Sequence, residues 1–205
     1  MARFWLWNER DVYPCWYNEI DIFEMKGANE YITTNNLHWY YNCPIDHDFL
    51  PTVYKSQSCL DYSLSYHSYS VEWDPDKIVW FLDGVSIRRD PNIYGINNPL
   101  YIIANFSISP FSPDTVNATT PFPSYMYIDA INVYRLNMDC NTDVNEIADF
   151  DNFYFAVKKS ITLSGATIIP QNSKITLRAT DYILLQSGFE VPLGAEFCIE
   201  PTSCY

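Results

Sequence analysis

Apolar and polar residues alternate along much of the first 136 positions, and this pattern predicts β-strands rather than helices. Residues 71–85 are the clearest case, because an alternating strand is followed by a turn at 74–76 and then by a second apolar run. Residues 100–108 predict a further apolar strand, and residues 126–136 alternate again. No stretch predicts an amphipathic helix longer than one turn. This part of the chain is therefore predicted to be all-β.

The composition changes after residue 137, and the pattern there predicts a different organisation. Residues 138–156 are acidic and irregular, which indicates a linker. Short strand-like runs punctuated by glycine and proline follow, and Gly188 and Gly194 recur at matching points after them, where turns are expected. We therefore predict a β-domain at 1–137, a linker at 138–156 and a small β-module at 157–205.

Three carboxylates lie close together in one predicted strand, separated by large apolar side chains. In a regular strand Glu19 and Asp21 share one face, whereas Glu24 falls on the other. A one-residue β-bulge at Ile22 and Phe23 would return Glu24 to the acidic face, and bulges are common beside active sites. Crowded carboxylates raise the pKa of at least one member, which is what the general acid of a glycosidase requires.

The alternative for this acidic segment is a solvated strand edge without a function. Two features argue against that alternative. Solvated acids rarely alternate with large apolar side chains, and the flanks at residues 4–7 and 15–18 are densely aromatic. The pattern therefore favours an acidic site.

Composition and charge exclude several classes of function. The chain has 205 residues with 48% hydrophobic content, which is enough for a packed core, and a net charge of −13, which argues against binding nucleic acid. It contains no apolar run of about 18 residues, so we expect no insertion into a membrane. Strand-like sequence follows Met1 almost at once, so no signal peptide is recognised.

The cysteines and histidines show no metal-binding spacing. The six cysteines contain no C-x-x-C pair and allow 15 pairings. Cys198 with Cys204, and Cys43 with Cys59, are candidate local disulfides, and buried free thiols are the alternative. An even number of cysteines fits an exported protein weakly. The three histidines form no metal-binding pattern, so no catalytic metal is expected.

The acidic hexapeptide at residues 19–24 resembles the signature of glycoside hydrolase family 16, in the form that carries the bulge. The resemblance extends to further blocks in family order over about residues 2–136, of the laminarinase and agarase type. These blocks are residues 2–7 (ARFWLW), 66–84 (YHSYSVEWDPDKIVWFLDG), 99–106 (PLYIIANF) and 125–135 (YMYIDAINVYR).

The resemblance implies a fold and an activity. The fold would be a concanavalin-like jelly-roll β-sandwich, represented here by the C-terminal half of the domain. The activity would be that of a retaining endo-β-glycan hydrolase acting on β-1,3- or β-1,4-linked polysaccharides, β-glucans or algal galactans. Glu19 would be the nucleophile and Glu24 the acid/base, with Asp21 hydrogen-bonded to the nucleophile. A secreted or cell-surface location is also implied.

The same resemblance implies residues that bind substrate. Trp7 and Trp16 bracket the approach to the acids and are candidate platforms on which sugar rings stack. His38 would lie on the strand next to the catalytic one, where it would share a proton or bind a sugar hydroxyl; a surface or core histidine is the alternative. Asn105 matches a strand asparagine that faces the cleft.

The expected partner is a polysaccharide, and no cofactor is expected. The family often carries a structural calcium, but in this sequence only Asp129 lies near one of its ligand positions. We therefore expect no calcium. The sequence does not indicate an oligomeric state.

The short length of chain ahead of the family-like block at residues 2–7 leaves a rival interpretation open. A family 16 sandwich normally has several strands ahead of the segment at residues 2–7, so the chain is predicted to be truncated, and an unusually small sandwich is the alternative. The rival is therefore a non-catalytic fragment that binds carbohydrate or another partner. Residues 175–197 resemble a small β-repeat module appended to secreted Bacteroidota proteins, which would act as a spacer or anchor.

Overall fold

A computed structural model describes seven segments of the chain, residues 1–8, 16–41, 54–57, 61–92, 96–108, 118–153 and 155–204. For residues 16, 17, 40, 41, 54–57, 151 and 152 it describes the backbone alone. The chain divides into two compact units, Met1–Ile128 and Asp129–Tyr205. Among the described residues, no helix combines the length and apolar character that a bilayer span needs.

The first unit contains a five-stranded and a three-stranded antiparallel sheet. The larger sheet has the order β4-β3-β2-β1-β8, and the smaller has the order β5-β6-β7. The strands are β1 (Ala2–Trp7), β2 (Trp16–Met25), β3 (Ile32–Tyr41), β4 (Tyr54–Gln57), β5 (Tyr69–Trp73), β6 (Lys77–Leu82), β7 (Val85–Pro91) and β8 (Tyr101–Phe106). The predicted all-β class, the hairpin and the strand at 100–108 are thereby confirmed.

One hydrophobic core joins the two sheets of the first unit. Ile20 and Leu37 of the larger sheet and Ile78 and Trp80 of the smaller are fully buried in it. Alternation explains this arrangement, because every second side chain of β2 and β6 points to the same face. The opposite face of β2 is then left for polar residues.

Residues 126–136 differ from the predicted strand. The structure shows no strand between residues 121 and 136, and the side chains of Tyr127 and Val133 are 71% and 73% exposed. An alternating pattern indicates which side chains would share a face, but a strand also needs a second strand for its backbone hydrogen bonds. No described strand pairs with this segment.

The second unit is built on a four-stranded parallel sheet of order β12-β11-β10-β9. Leu163 pairs with Leu185 and Lys174 pairs with Glu196, at the same sequence separation, so successive passes of the chain stack in register. Such stacking is typical of repeat proteins. The elements are β9 (Asn137–Asn145), a 3-10 helix (Phe150–Phe153), β10 (Ala156–Leu163), β11 (Lys174–Leu185) and β12 (Glu196–Pro201).

The segment predicted as a linker therefore has regular structure. It contains most of β9, which pairs in parallel with β10, and the 3-10 helix, whose Phe150 is buried in the core of the second unit. The acidic residues that indicated a linker are paired instead. Asp139 lies 2.5 Å from the Lys158 ammonium, and Asp143 accepts a hydrogen bond from Ser160 at 2.5 Å.

The disulfide differs from the predicted local pair. Cys204 is bonded to Cys140, with a Cα–Cα distance of 6.2 Å, and Cys198 in β12 is a free, exposed thiol. The strand registers put Pro201 of β12 level with Asp139 of β9 at the opposite edge of the sheet, and the C-terminal tail crosses from one edge to the other. Proximity in sequence does not reveal this. The predicted pair of Cys43 and Cys59 lies outside the described residues.

We expect Cys140→Ser to destabilise the second unit by about 2–4 kcal/mol, because the disulfide closes a loop of 64 residues and so restricts the unfolded chain. Urea unfolding followed by far-UV circular dichroism measures the loss. Tryptophan fluorescence is an internal reference, since all six tryptophans belong to the first unit. Cys198→Ser, which removes the free thiol, is the matched control, and equal stability of the two variants would contradict the prediction.

Candidate active site

A β-bulge in β2 arranges the three carboxylates. On one side Trp5 pairs with Asp21 and Phe4 with Phe23, and on the other side the register shifts between Asp21 and Glu24. Two residues of β2 are thus accommodated where a regular strand would hold one. The bulge predicted at Ile22 and Phe23 is confirmed.

The bulge sends its apolar residues into the core and returns Glu24 to the acidic face. Ile22 is 4% exposed, and the Phe23 ring stacks on Tyr69 at a centroid distance of 4.3 Å. Side chains replace the interrupted ladder bonds. The Trp80 indole N–H donates to the Asp21 carbonyl at 2.9 Å, and the Asn35 amide donates to the Ile22 carbonyl at 2.5 Å.

Glu19, Asp21 and His38 form one close cluster. One ligand atom from each lies within 4.8 Å of the others. His38 is opposite Glu19 in the register of β3, and its Nε2 lies 3.1 Å from Oδ2 of Asp21. Asp21 is almost fully buried, at 1% exposure, whereas the side chain of His38 is 13% exposed.

Glu24 is held by residues of both neighbouring strands. Its Oε1 lies 2.8 Å from Nε of Arg3 in β1, and its Oε2 accepts a hydrogen bond from the Asn36 amide of β3 at 2.5 Å. The side chain remains 13% exposed. Glu24 is therefore oriented from two sides while it keeps contact with solvent.

The surroundings of Glu24 favour its protonated form. Burial and the neighbouring charge of Asp21 raise the pKa of Glu24 above its usual value, although Arg3, His38 and Lys26 act in the opposite direction. Desolvation disfavours a buried carboxylate, and a second carboxylate adds repulsion. Glu24 thus holds its proton to a higher pH than an isolated glutamate does.

The pKa of His38 is also raised. Burial acts to lower it, but the hydrogen bond to Asp21 and the charges of Asp21, Glu19 and Glu24 outweigh that effect. Carboxylates stabilise the imidazolium because they bring opposite charge within a few ångströms. His38 therefore responds to the ionisation of the whole cluster.

Tryptophans of β1 flank the acids on the same face. Trp7 pairs with Glu19 across the sheet, and its ring lies 6.1 Å from that of Trp5. The Trp5 indole N–H donates to Oδ1 of Asn105 in β8 at 2.8 Å. Aromatic faces beside paired carboxylates are the surfaces on which sugar rings stack.

The structure thus brings together most of the side chains selected from the sequence. Glu19, Asp21 and His38 form one cluster, Glu24 lies close enough to feel the charges of Asp21 and His38, and Trp7 and Asn105 lie on the strands β1 and β8. Trp16 begins β2, but its side chain lies outside the described part of the molecule.

Three residues of the site were missed from the sequence, and each has a contact given above. They are Arg3, Trp5 and Asn36. The signal that would have found them is the antiparallel register. Residues directly across from an acid on the two neighbouring strands share its face.

Comparison with known proteins identifies a match to the family described as Glycosyl hydrolases family 16, over residues 1–115. This region includes every residue of the acidic cluster.

Curated relatives are between 24% and 28% identical to the chain over the aligned residues. The Clotting factor G alpha subunit of Tachypleus tridentatus is 28% identical over 162 residues, which cover 75% of this chain and 23% of that protein. Endo-1,3-1,4-beta-glycanase ExsH of Rhizobium meliloti (strain 1021) is 26% identical over 60% of this chain and 25% of its own length. The Beta-glucanase of Rhodothermus marinus is 24% identical over 64% of this chain and 50% of its own length. The chain thus spans half or less of each of these relatives.

Solved structures are also similar to this chain. The endo-beta-1,3-glucanase from Pyrococcus furiosus has a TM-score of 0.47 at 24% identity, covering 60% of this chain and 50% of that one. The laminarinase catalytic domain from Thermotoga maritima MSB8 has a TM-score of 0.48 at 22% identity. The match covers 59% of this chain and 52% of that one.

Proposed function

This chain belongs to glycosyl hydrolases family 16, and from this membership and the geometry of its acidic cluster we propose that it is a retaining endo-β-glycan hydrolase. The observation that carries the proposal is the bulge in β2. It brings Glu19, Asp21 and Glu24 to one face, between Arg3 of β1 and His38 of β3.

The proposed reaction is a double displacement with two carboxylates. The Glu19 carboxylate attacks the anomeric carbon, and the bond from that carbon to the leaving oxygen breaks as Glu24 donates its proton to that oxygen. Glu24, now ionised, takes a proton from a water molecule that attacks the same carbon and releases Glu19. The β-configuration is thereby retained.

The environments of the two glutamates support these roles. The raised pKa of Glu24 keeps a proton available for the leaving group. Asp21 and His38 lie against Glu19, where they orient the nucleophile. Two carboxylates in different surroundings are the usual means by which a glycosidase obtains an acid and a nucleophile at the same pH.

We propose β-1,3- or β-1,4-linked polysaccharides as substrates, either β-glucans or algal galactans. Two of the curated relatives are named as glucanases or glycanases, and the partly buried Trp5 and Trp7 beside the acids suit the C–H faces of a sugar. The net charge of −13 favours neutral glycans over heavily sulfated ones.

The test is release of reducing ends from laminarin, lichenan, agarose and carrageenan. An endo-acting enzyme produces a ladder of oligosaccharides early, and proton NMR of the first products shows the β-anomer if the mechanism is retaining. Binding of a glycan without release of any reducing end would support the rival interpretation of a carbohydrate-binding fragment and overturn the proposed activity.

We also propose that the protein is secreted or displayed at the cell surface. The Cys140–Cys204 disulfide supports this location, because such bonds persist in oxidising compartments. Thiol labelling of protein from the native host, with and without prior reduction, tests it: both cysteines should label only after reduction.

Arg3 should set the alkaline limit of activity. Its guanidinium favours the ionised form of Glu24, so Arg3→Gln should raise the pKa of Glu24 further. Because the general acid must be protonated in the free enzyme, the basic limb of kcat/KM against pH should move to higher pH. Arg3→Lys keeps the charge and is the matched control, with a smaller displacement. A basic limb that stays in place in Arg3→Gln would contradict this role.

A further inference from the structure

We propose that Glu19, Asp21 and His38 form a binding site for a divalent transition-metal ion such as Zn²⁺, and that the ion blocks the site when it binds. One imidazole nitrogen and two carboxylate oxygens lie within 4.8 Å of one another, with the three side chains on adjacent strands. Small side-chain rotations bring such a set into the first coordination sphere of one ion.

The charge and chemistry of the donors suit Zn²⁺. Two carboxylates balance its two positive charges, and a neutral imidazole is among its preferred ligands. Three protein ligands leave a fourth, tetrahedral position for water, as in open zinc sites. The third carboxylate, Glu24, forms an ion pair with Arg3, whose Nε lies 2.8 Å from its Oε1. Glu24 therefore does not compete for the metal ion.

A second observation points to the same place. Asp21 is 1% exposed, and its Oδ1 accepts no hydrogen bond within the part of the chain that the structure describes. A buried carboxylate oxygen without a donor is costly, and a bound cation is one way to satisfy it. Trp80 holds the backbone of Asp21 through its carbonyl at 2.9 Å, and Nε2 of His38 lies 3.1 Å from Oδ2 of the Asp21 carboxylate.

The donor set discriminates between classes of metal. Ca²⁺ takes six to eight oxygen ligands, and Mg²⁺ requires octahedral oxygen coordination, so neither suits a nitrogen and two oxygens on stiff β-strands. Imidazole favours Zn²⁺ and Cu²⁺ instead, and Cu²⁺ binds more tightly in the usual order of affinities. We therefore expect no binding of Mg²⁺ or Ca²⁺ at the concentration at which Zn²⁺ saturates the site.

Metal binding and catalysis would exclude each other. A metal on Glu19 removes the lone pairs that attack the anomeric carbon, and this consequence rests on the proposed function. The binding itself does not, because it requires only the geometry of the cluster.

Isothermal titration of the full chain with ZnCl₂ tests the binding. A Cys198→Ser background removes the exposed thiol, which is itself a zinc ligand. We expect His38→Ala and Asp21→Asn each to weaken Zn²⁺ binding by at least about 10-fold. His67→Ala is the matched control, because that imidazole also pairs with a carboxylate, Asp83 at 2.8 Å, outside the cluster. Unchanged affinity in both cluster variants would overturn the inference.

If a variant does not fold, NMR of the histidine ring nitrogens tests the inference in protein that keeps Glu19, Asp21 and His38. Addition of Zn²⁺ should shift the ring nitrogens of His38 and leave those of His67 in place, and the opposite result would overturn the inference. In assays of glycan hydrolysis, Zn²⁺ should raise the apparent KM without changing kcat, and inhibition that substrate does not relieve would refute the blocking role. An inactive chain that still binds Zn²⁺ through His38 would count against the proposed function alone.

Discussion

Glu19→Gln should abolish hydrolysis of β-glycans, with a loss of at least about 10⁴-fold in kcat, because an amide cannot form the covalent intermediate. Glu24→Gln should lose about 10²–10⁴-fold, the contribution of a positioned general acid. Both substitutions preserve size and shape, so the sheet register is expected to remain. Reducing-end release from the best polysaccharide measures the two losses.

The two roles can be separated by the leaving group. An aryl β-glycoside with an acidic phenol needs little protonation, so Glu24→Gln should regain most of its activity on that substrate while Glu19→Gln should not. Added azide should form a β-glycosyl azide with Glu24→Gln, because a small anion can replace the water that the missing base would activate.

Glu196→Gln in the second unit is the matched control, since its side chain is 70% exposed and its carboxylate lies 3.4 Å from the Lys174 ammonium. Its activity should equal that of the parent protein. If Glu19→Gln lost less than about 10²-fold in kcat on its best polysaccharide, the assignment of the nucleophile would be incorrect.

Trp80→Ala should lower the free energy of unfolding of the first unit by about 3–5 kcal/mol, the usual cost of removing a large aromatic side chain from a packed core. Trp80 is fully buried between the two sheets, and the Arg88 guanidinium lies 4.4 Å above its ring. Urea unfolding followed by circular dichroism and by the fluorescence of the remaining tryptophans measures the change.

Trp80→Phe separates packing from the hydrogen bond to the bulge. Phenylalanine fills much of the space but cannot donate to the Asp21 carbonyl, which Trp80 contacts at 2.9 Å. We expect a loss of about 1–3 kcal/mol from the buried carbonyl left without its donor. Activity should also fall, because the bulge that positions Asp21 and Glu24 loses one of its supports. If both variants had the same stability as the parent, the core role of Trp80 would be incorrect.

Much of the first unit could be predicted because local patterns decide strand identity. Alternation around Glu19 and Asp21, the turn at Asp74 and the apolar run of β6 each depend on residues close in sequence. The bulge was also predictable, since three acids on one face of β2 require an extra residue.

Other features could not be predicted because they depend on which strands become neighbours. Arg3 and Asn36 reach Glu24 only through the registers of β1 and β3. The pairing of Cys140 with Cys204 depends on a C-terminal tail that crosses from β12 at one edge of the sheet to β9 at the other, and local spacing favoured a different partner for Cys204. Residues 126–136 have the pattern of a strand, but a strand forms only with a partner.

The sequence by itself determined the all-β class, the acidic strand with its bulge and the family to which this chain belongs, because each is written in residues that are neighbours along the chain. The resemblance also placed His38 beside the acids, but only the tertiary structure decided that Arg3 and Asn36 hold Glu24 and that Nε2 of His38 lies 3.1 Å from Oδ2 of Asp21. The physical reason is that the pKa of a carboxylate, and the ligands available to a metal, depend on distances of a few ångströms across strands, which pairing creates and sequence order does not specify.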